Sequence, residues 1–406
     1  MGNTKIKINK NGKTTLATAG KYCDRNIDVE VQVEGGSIDT ATQNFYNSAS
    51  LTLTDIETTE EEIKIPKNVV TIGANAFQSQ TSIKRILYEE GCRATWSSYM
   101  CDGCTNLIEI DSSSSSTTLV PQYCFRNCTS LTSINIPDSV TTLGNYAFSG
   151  CSNLTSVEMS DSVSSIGNYV FYNCTNLTSI EIPEKTTSIG QYAYRGCTNV
   201  TEIKFNGTSV KDITSAYYPF YQTGKDGSGI TVTIGANVTR IPTYLFQTDN
   251  STDKYAPKIR NLIFEEGSVC ETIGVSAFRY CSSLMSVTIP DSVTSIGQHA
   301  FRSCSGLTSV VIGNSVTSIG DYAFYYCGGL TSITIPDSVT SIGKEAFALC
   351  NKLKTVEMLS RTPPTIPGGA SFPSLNKIIV PTGCGEAYKS ATNWSSFADI
   401  IEEATV

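Results

Sequence analysis

Residues 131–153, LTSINIPDSVTTLGNYAFSGCSN, are followed without a break by LTSVEMSDSVSSIGNYVFYNCTN at 154–176. The chain writes nearly the same 23-residue unit twice and then continues. With Leu131 as the first position, that position recurs at Leu154, Leu177 and Val200, and again at Leu284, Leu307, Leu330 and Leu353. The fourth and sixth positions are apolar too, as at Ile134 and Ile136, Ile180 and Ile182, Val287 and Ile289, and Ile333 and Ile335. Looser copies begin at Ile83, Leu107, Val232, Ile259 and Leu375, which with Ile63 and Ile65 make roughly fourteen rungs. A unit this short cannot bury its own apolar face, so each must pack on the next, and the result is a solenoid.

Within each coil the L-x-x-I-x-I alternation reads as a short strand with one face inward, and strands of successive coils pair in parallel. Pro137, Pro183, Pro290 and Pro336 follow those strands, where a missing N–H ends the ladder without an interior gap. A second extended run, V-T-S-I, ends at Gly144, Gly167, Gly190, Gly297, Gly320 or Gly343, read as turn glycines that take positive φ. Asn145–Phe148 and its copies read as one helical or 3₁₀ turn with Ala147 and Phe148 inward. At roughly 4.8 Å per rung the array is on the order of 65 Å long, an extended surface in place of a pocket.

These units resemble the BspA-type, or treponemal-type, leucine-rich repeats of bacterial surface proteins. LTSITIPDSVTSIGKEAFALC at 330–350 and LTSVVIGNSVTSIGDYAFYYC at 307–327 carry the resemblance, which covers about residues 60–381. It implies an α/β repeat solenoid: a right-handed arc of parallel β-strands with short helical or 3₁₀ turns and a C-terminal cap. The segment LNKIIVPTGCGEAYKSATNWSSFADIIEE looks like that cap, with a short helix around Glu386 to Ser390 and a final strand at Ala398 to Ile401.

Ahead of the array, NGKTTLATAGKYCDRNIDVEVQV (11–33) precedes Gly35-Gly36-Ser37, a hinge signal. Ile6 and Ile8, then Ile27, Val29, Val31 and Val33, alternate as short strands do. This stretch is similar to a module of tail and baseplate-associated proteins of phages and prophages. The expected division is a small β anchoring or assembly module at 1–36, the solenoid at 37–374 with longer irregular repeats at about 200–258, and a final rung with its cap at 375–406.

A net charge of -8 and a pI near 4.9 give no attraction for nucleic acid or anionic lipid. No run approaches the length of a membrane span, and the amino terminus lacks the apolar centre of a secretory signal. Ile6 stands where a myristoylation motif needs Ser or Thr. The expected location is extracellular-facing, on a bacterial cell surface or a phage virion.

Fifteen cysteines would ordinarily raise a disulfide or metal question. Eight of them, Cys128, Cys151, Cys174, Cys197, Cys281, Cys304, Cys327 and Cys350, hold one position of the repeat. They are expected to form two inward-facing ladders of reduced thiols, because side chains of in-register rungs point the same way and not at one another. Cys101 and Cys104 make a CxxC, but they align with the Phe and Cys positions of the next repeats, and no second CxxC completes a four-thiolate site. Neither a metal nor a cofactor is expected.

The single histidine, His299, aligns with Tyr146, Tyr169, Tyr192 and Tyr322 on the outer turn. It is the only histidine a Ser-His-Asp or Cys-His arrangement could use, and no G-x-S-x-G elbow is present. Carboxylate-only hydrolysis would have to use Glu158, Glu181 or Glu357, which read as solvated rung residues. A non-enzymatic recognition protein is the expectation, taking a protein or glycan ligand, with a phage tail component of receptor-binding role as the alternative.

The exposed strand positions are mostly Ser, Thr, Asn and Glu, a surface poor in the Trp, Tyr and Arg that centre binding sites. The period stretches between Val200 and Ile259, where SAYYPFYQTGKDGSG (215–229) and QTDNSTDKYAPK (247–258) are inserted. Insertions in a solenoid become loops on one face. Tyr217, Tyr218, Phe220, Tyr221, Lys254 and Tyr255 are therefore the candidate ligand-binding residues. A competing reading sends Phe220 into the core in place of the usual Phe. Residues 1–36 are a candidate contact for an assembly partner.

Overall fold

The computed structural model describes the strands Thr4–Lys10, Lys13–Ala19 and Val29–Val31, and residues 51–405 apart from 58, 66, 68, 112–114, 215–216, 248–255 and 369–370. Gly35-Gly36-Ser37, Ile27 and Val33 lie outside the described residues. The chain forms two compact units, residues 1–178 with 188–197 and residues 179–187 with 198–406. Both are stacks of parallel coils.

The repeat spacing appears directly as strand register. Ser133–Asn135 pairs in parallel with Ser156–Glu158, Ile134 opposite Val157, and Ser332–Ile335 pairs with Thr355–Met358 in the same manner. A second ladder joins Thr142–Leu143, Ser165–Ile166 and Ser188–Ile189 on another side of the coil. Each coil thus contributes two short strands, whose inward apolar side chains, such as Ile134, Leu143 and Ile166, are buried.

The turn after Gly144 is not helical. Three β-turns overlap there: Ala147 N–H bonds Gly144 O, Ser149 N–H bonds Tyr146 O and Cys151 N–H bonds Phe148 O, each at 3.2 Å. The alternate N–H groups of Tyr146, Phe148 and Gly150 reach instead to Asn168, Val170 and Tyr172 of the next coil at 2.8 to 2.9 Å. A helix would spend every N–H on itself. This arrangement spends half between coils, which satisfies the buried backbone and joins neighbouring rungs.

The geometry also reassigns the glycines. Positive φ falls on Tyr146 (58°) and Gly150 (79°), as the third residue of a type II turn requires. Gly144, Gly167, Gly190, Gly297, Gly320 and Gly343 do not have positive φ, so the expectation drawn from the sequence is corrected. They are glycine because the coils meet there: a Cβ on Gly190 would lie 2.4 Å from the Gly167 carbonyl carbon and 2.5 Å from Asn168 N.

Inside the coils, identical residues stack in columns. In the first unit Phe125, Phe148, Phe171 and Tyr194 have ring centroids 5.2 to 5.4 Å apart, and Trp96 closes the column edge-on. In the second, the column runs through Phe220, Phe246, Phe278, Phe301, Phe324, Phe347 and Phe372. Each buried phenylalanine contributes roughly 1.5–3 kcal/mol of burial, with stacking added to it.

Every described cysteine is free and buried. The ladder thiols also cap backbone carbonyls. Cys151 Sγ donates to Phe125 O at 3.1 Å, Cys174 to Phe148 O at 3.2 Å and Cys327 to Phe301 O at 3.2 Å.

At the amino-terminal end Thr4–Lys10 pairs antiparallel with Lys13–Ala19, and Leu51–Glu57 joins this hairpin to Val69–Ile72 of the first coil. At the other end, the cap is the helix Gly385–Ser390, the 3₁₀ helix Ser395–Ile400 and the strand Ile401–Glu403. That strand pairs with Lys377–Val380, and it starts at the residue where the sequence pattern ended it, since residues 398–400 belong to the 3₁₀ helix. Trp394 is buried against Phe372 and Tyr388, its indole N–H bonded to Pro364 O at 2.7 Å, and so covers the last open rung.

Candidate recognition surface

The stretched repeats keep their strands paired in parallel, with one register shift between Ile230 and Thr231. Glu202 pairs with Thr231 and Thr231 with Asn261, steps of 29 and 30 residues in a ladder whose other steps are 23 or 25. The added residues are accommodated outside the strand ladder. Gly224 and Gly229, with φ of 65° and 117°, and a hydrogen bond from Asp226 N–H to Thr198 O fix the returning segment.

Within that coil, the six sequence candidates divide. Tyr217 is 40% exposed, its N–H bonded to Thr214 O at 2.9 Å. Tyr218 and Tyr221 are half-buried, with rings 6.4 Å apart. Phe220 is 1% exposed and lies 4.9 Å from Phe246 in the phenylalanine column, so it is a core residue and is withdrawn as a surface anchor. Lys254 and Tyr255 lie outside the described residues. Tyr218-Pro219-Phe220 occupies the register of Tyr146-Ala147-Phe148, with positive φ at Tyr218 (37°) as at Tyr146. Tyr217 takes the exposed place that Asn145 holds before Tyr146 in the ordinary turn.

The strand face of the second unit is less uniformly polar than its composition implies. Ile263 and Val311 are about half exposed, and the shallow hollows beside them, of about 480 and 500 Å³, share Thr288, Pro290 and Asp291.

His299 sits on the turn face, its ring stacked on Tyr322 at 5.0 Å with Arg302 Nη1 3.5 Å from Nδ1. Burial, then the nearby guanidinium groups of Arg302 and Arg279, lower its pKa from 6.5 to about 4, which keeps the ring neutral. Cys304 of the ladder is buried with its thiol on Phe278 O, its pKa raised by desolvation. Glu181 and Glu357 accept hydrogen bonds from Asn206 and Thr334, while Glu158 is exposed. Cys101 and Cys104 are both fully buried, Cys104 Sγ bonding Phe77 O at 2.9 Å. Among the described residues no group of three His, Cys, Asp or Glu is placed to hold a metal ion, and no helix is long and apolar enough to cross a membrane.

The tyrosine position that the sequence aligned with His299 extends to Tyr99 and Tyr123, and its stacking was not read from the sequence. Tyr99, Tyr123, Tyr146, Tyr169 and Tyr192 form a column in the first unit, each half-buried and each with positive φ. Its signal is the recurrence of tyrosine at the repeat spacing, the same column that His299 joins in the second unit.

The family model for the BspA type leucine rich repeat region matches six copies over residues 43–119, 118–253 and 271–395. The chain belongs to the BspA-type leucine-rich repeat family. Among solved structures, a leucine-rich repeat protein from Bacteroides ovatus ATCC 8483 is similar with a TM-score of 0.56 and 22% identity, covering 88% of this chain and 96% of that one. A leucine rich cell surface protein from Faecalibacterium prausnitzii A2-165 gives a TM-score of 0.35 and 27% identity, covering 85% and 79%. A leucine-rich repeat protein from Eubacterium ventriosum ATCC 27560 gives 0.35 and 20%, covering 87% and 80%. The first of these supports the fold. No curated protein matches the chain.

Proposed function

We propose that this BspA-type repeat protein is a non-enzymatic recognition protein displayed on a bacterial cell surface or a virion, binding a protein or glycan ligand. The observation that carries the reading is Tyr217: a large aromatic, 40% exposed, next in the chain to Tyr218, on a coil whose strands Glu202–Phe205 and Ile230–Ile234 pair in register. An aromatic on a rigid support gives contact area at low entropic cost, as binding centres favour. Lys254 and Tyr255 belong to the same proposed contact through the neighbouring insertion. Residues 1–36 are assigned an anchoring or assembly role.

The test is capture of labelled gut bacteria by the immobilised full-length chain and by Tyr217→Ala. Capture by the intact chain, reduced about tenfold in the variant with an unchanged melting temperature, supports the reading. Equal capture by both removes Tyr217 from the site. No capture of any cell by the intact chain removes the recognition function.

A further inference from the structure

The tyrosine column of the first unit is an energetic anomaly. Tyr99, Tyr123, Tyr146, Tyr169 and Tyr192 have φ between 53° and 60°, a region unfavourable to an L-residue with a Cβ and filled more easily by glycine or asparagine. At the other positive-φ position of the same turns the chain does use such residues: Asn127, Gly150, Asn173 and Gly196. Backbone fit therefore does not select the tyrosines.

Stacking offsets part of the cost. Ring centroids step by 4.7, 5.0, 4.7 and 5.4 Å along the column, and the first three pairs are within 11° of parallel. Arg126 lies over the Tyr123 ring and Arg195 over Tyr192, 4.8 and 4.9 Å from the centroids. Arg126 is itself clamped by two 2.8 Å bonds to the buried carboxylate of Asp102. Phenylalanine would stack as well, so stacking does not account for the hydroxyls. Those of Tyr99, Tyr123, Tyr146 and Tyr169 have no hydrogen-bond partner among the described residues. Desolvation raises the Tyr146 pKa, so its hydroxyl keeps the proton it would donate.

Because the ring faces are covered by their neighbours, the outward surface is the edge of the stack. It offers a row of phenol hydroxyls, each donor and acceptor, beside the electropositive rims of the rings. The row repeats once per coil on a framework that binding would not need to order. A partner that exploits it must be linear, rich in hydroxyl oxygens and built from units about as long as one coil step. The geometry points to an extended oligosaccharide lying along Tyr99, Tyr123, Tyr146, Tyr169 and Tyr192, one sugar ring to each coil. This inference rests on the recognition reading above and names residues for it other than Tyr217.

The experiment is calorimetric titration of the full-length chain with linear β-linked hexasaccharides of glucose, mannose and N-acetylglucosamine. At least one is expected to bind. The double variant Tyr146→Phe with Tyr169→Phe keeps the rings, removes two hydroxyls and is expected to weaken that binding at least tenfold at unchanged melting temperature, while Tyr217→Ala leaves it intact. Binding of equal strength by the double phenylalanine variant overturns the site. Failure of every hexasaccharide to bind overturns the glycan assignment, and if the intact chain still captures cells, the recognition function stands without it.

Discussion

Two glycines of the first unit look alike in the sequence and differ in physical role, so their alanine variants should differ in cost. Gly190 has an ordinary φ, and alanine there is conformationally allowed, with a gain of about 0.4–1 kcal/mol from the stiffer unfolded chain. Its Cβ, however, would sit 2.4 Å from Gly167 C and 2.5 Å from both Asn168 N and Gly167 O, all backbone atoms that cannot rotate away. Relief requires moving the coils apart, an overpacking strain of about 1–3 kcal/mol and occasionally more. The movement also stretches the bonds Gly190 N–H to Ile166 O (2.8 Å) and Gln191 N–H to Asn168 Oδ1 (2.8 Å), each contributing about 0.5–1.5 kcal/mol. The expected net loss for Gly190→Ala is about 3 kcal/mol. Gly150 has φ of 79°, and its Cβ would meet mainly the Asn127 Oδ1 at 2.4 Å, the end of a side chain that can turn aside. Gly150→Ala should therefore cost only the left-handed penalty, about 1–2 kcal/mol.

Urea denaturation followed by circular dichroism gives the two losses from the midpoints at a common slope. Stacked repeats can unfold in segments, so hydrogen exchange at residues 143–151 and 166–191 should accompany it to place the loss. Costs equal to within about 0.5 kcal/mol, or a larger cost at Gly150, would refute the close-approach explanation for the Gly144, Gly167 and Gly190 column.

The ladder thiols are expected to be inert in the folded protein. Burial pushes Cys151 up to about 12, so peptide-resolved alkylation at neutral pH should label the ladder only after unfolding, and rapid labelling of native Cys151 or Cys174 would contradict the packing. Removing the donor in Cys174→Ala takes the thiol from Phe148 O and should cost about 2 kcal/mol in a urea melt; a loss under about 0.5 kcal/mol would show that the thiol contributes no hydrogen bond. Folding lowers the His299 pKa from 6.5 to about 4, so between those values the unfolded chain takes up a proton that the native chain does not. Stability should be level above pH 6.5 and fall by about 1 kcal/mol toward pH 4, allowing for solvent screening of the half-exposed ring, and His299→Tyr should flatten that slope.

Much of the coil was legible because the repeat makes each inward position report itself many times. Leu131, Ile134, Ile136, Phe148 and Cys151 are buried where the period placed them, and Phe220 fills a phenylalanine slot even where the spacing is broken. The family match over 43–253 and 271–395 rests on the same recurrence. The surface was less legible. Tyr218 looks like part of an insertion in the sequence, yet its φ and register make it an ordinary turn residue, with Tyr217 in the exposed place that Asn145 holds. Local composition does not show where an insertion begins when its flanks imitate the repeat.

By itself the sequence determined the stacking: a 23-residue unit with apolar residues at fixed places has no folded state except against its copies. What only the tertiary structure decided is how the turn is built and what it presents. The distance between coils sets which N–H groups bond across and which bond within, and that choice forces positive φ onto Tyr146 and Gly150 while crowding Gly144 and Gly190. From it follows the stacking of Tyr99, Tyr123, Tyr146 and Tyr169 along the turn face. A periodic pattern specifies which side chains repeat, but the conformation that aims them depends on hydrogen bonds between residues a full coil apart.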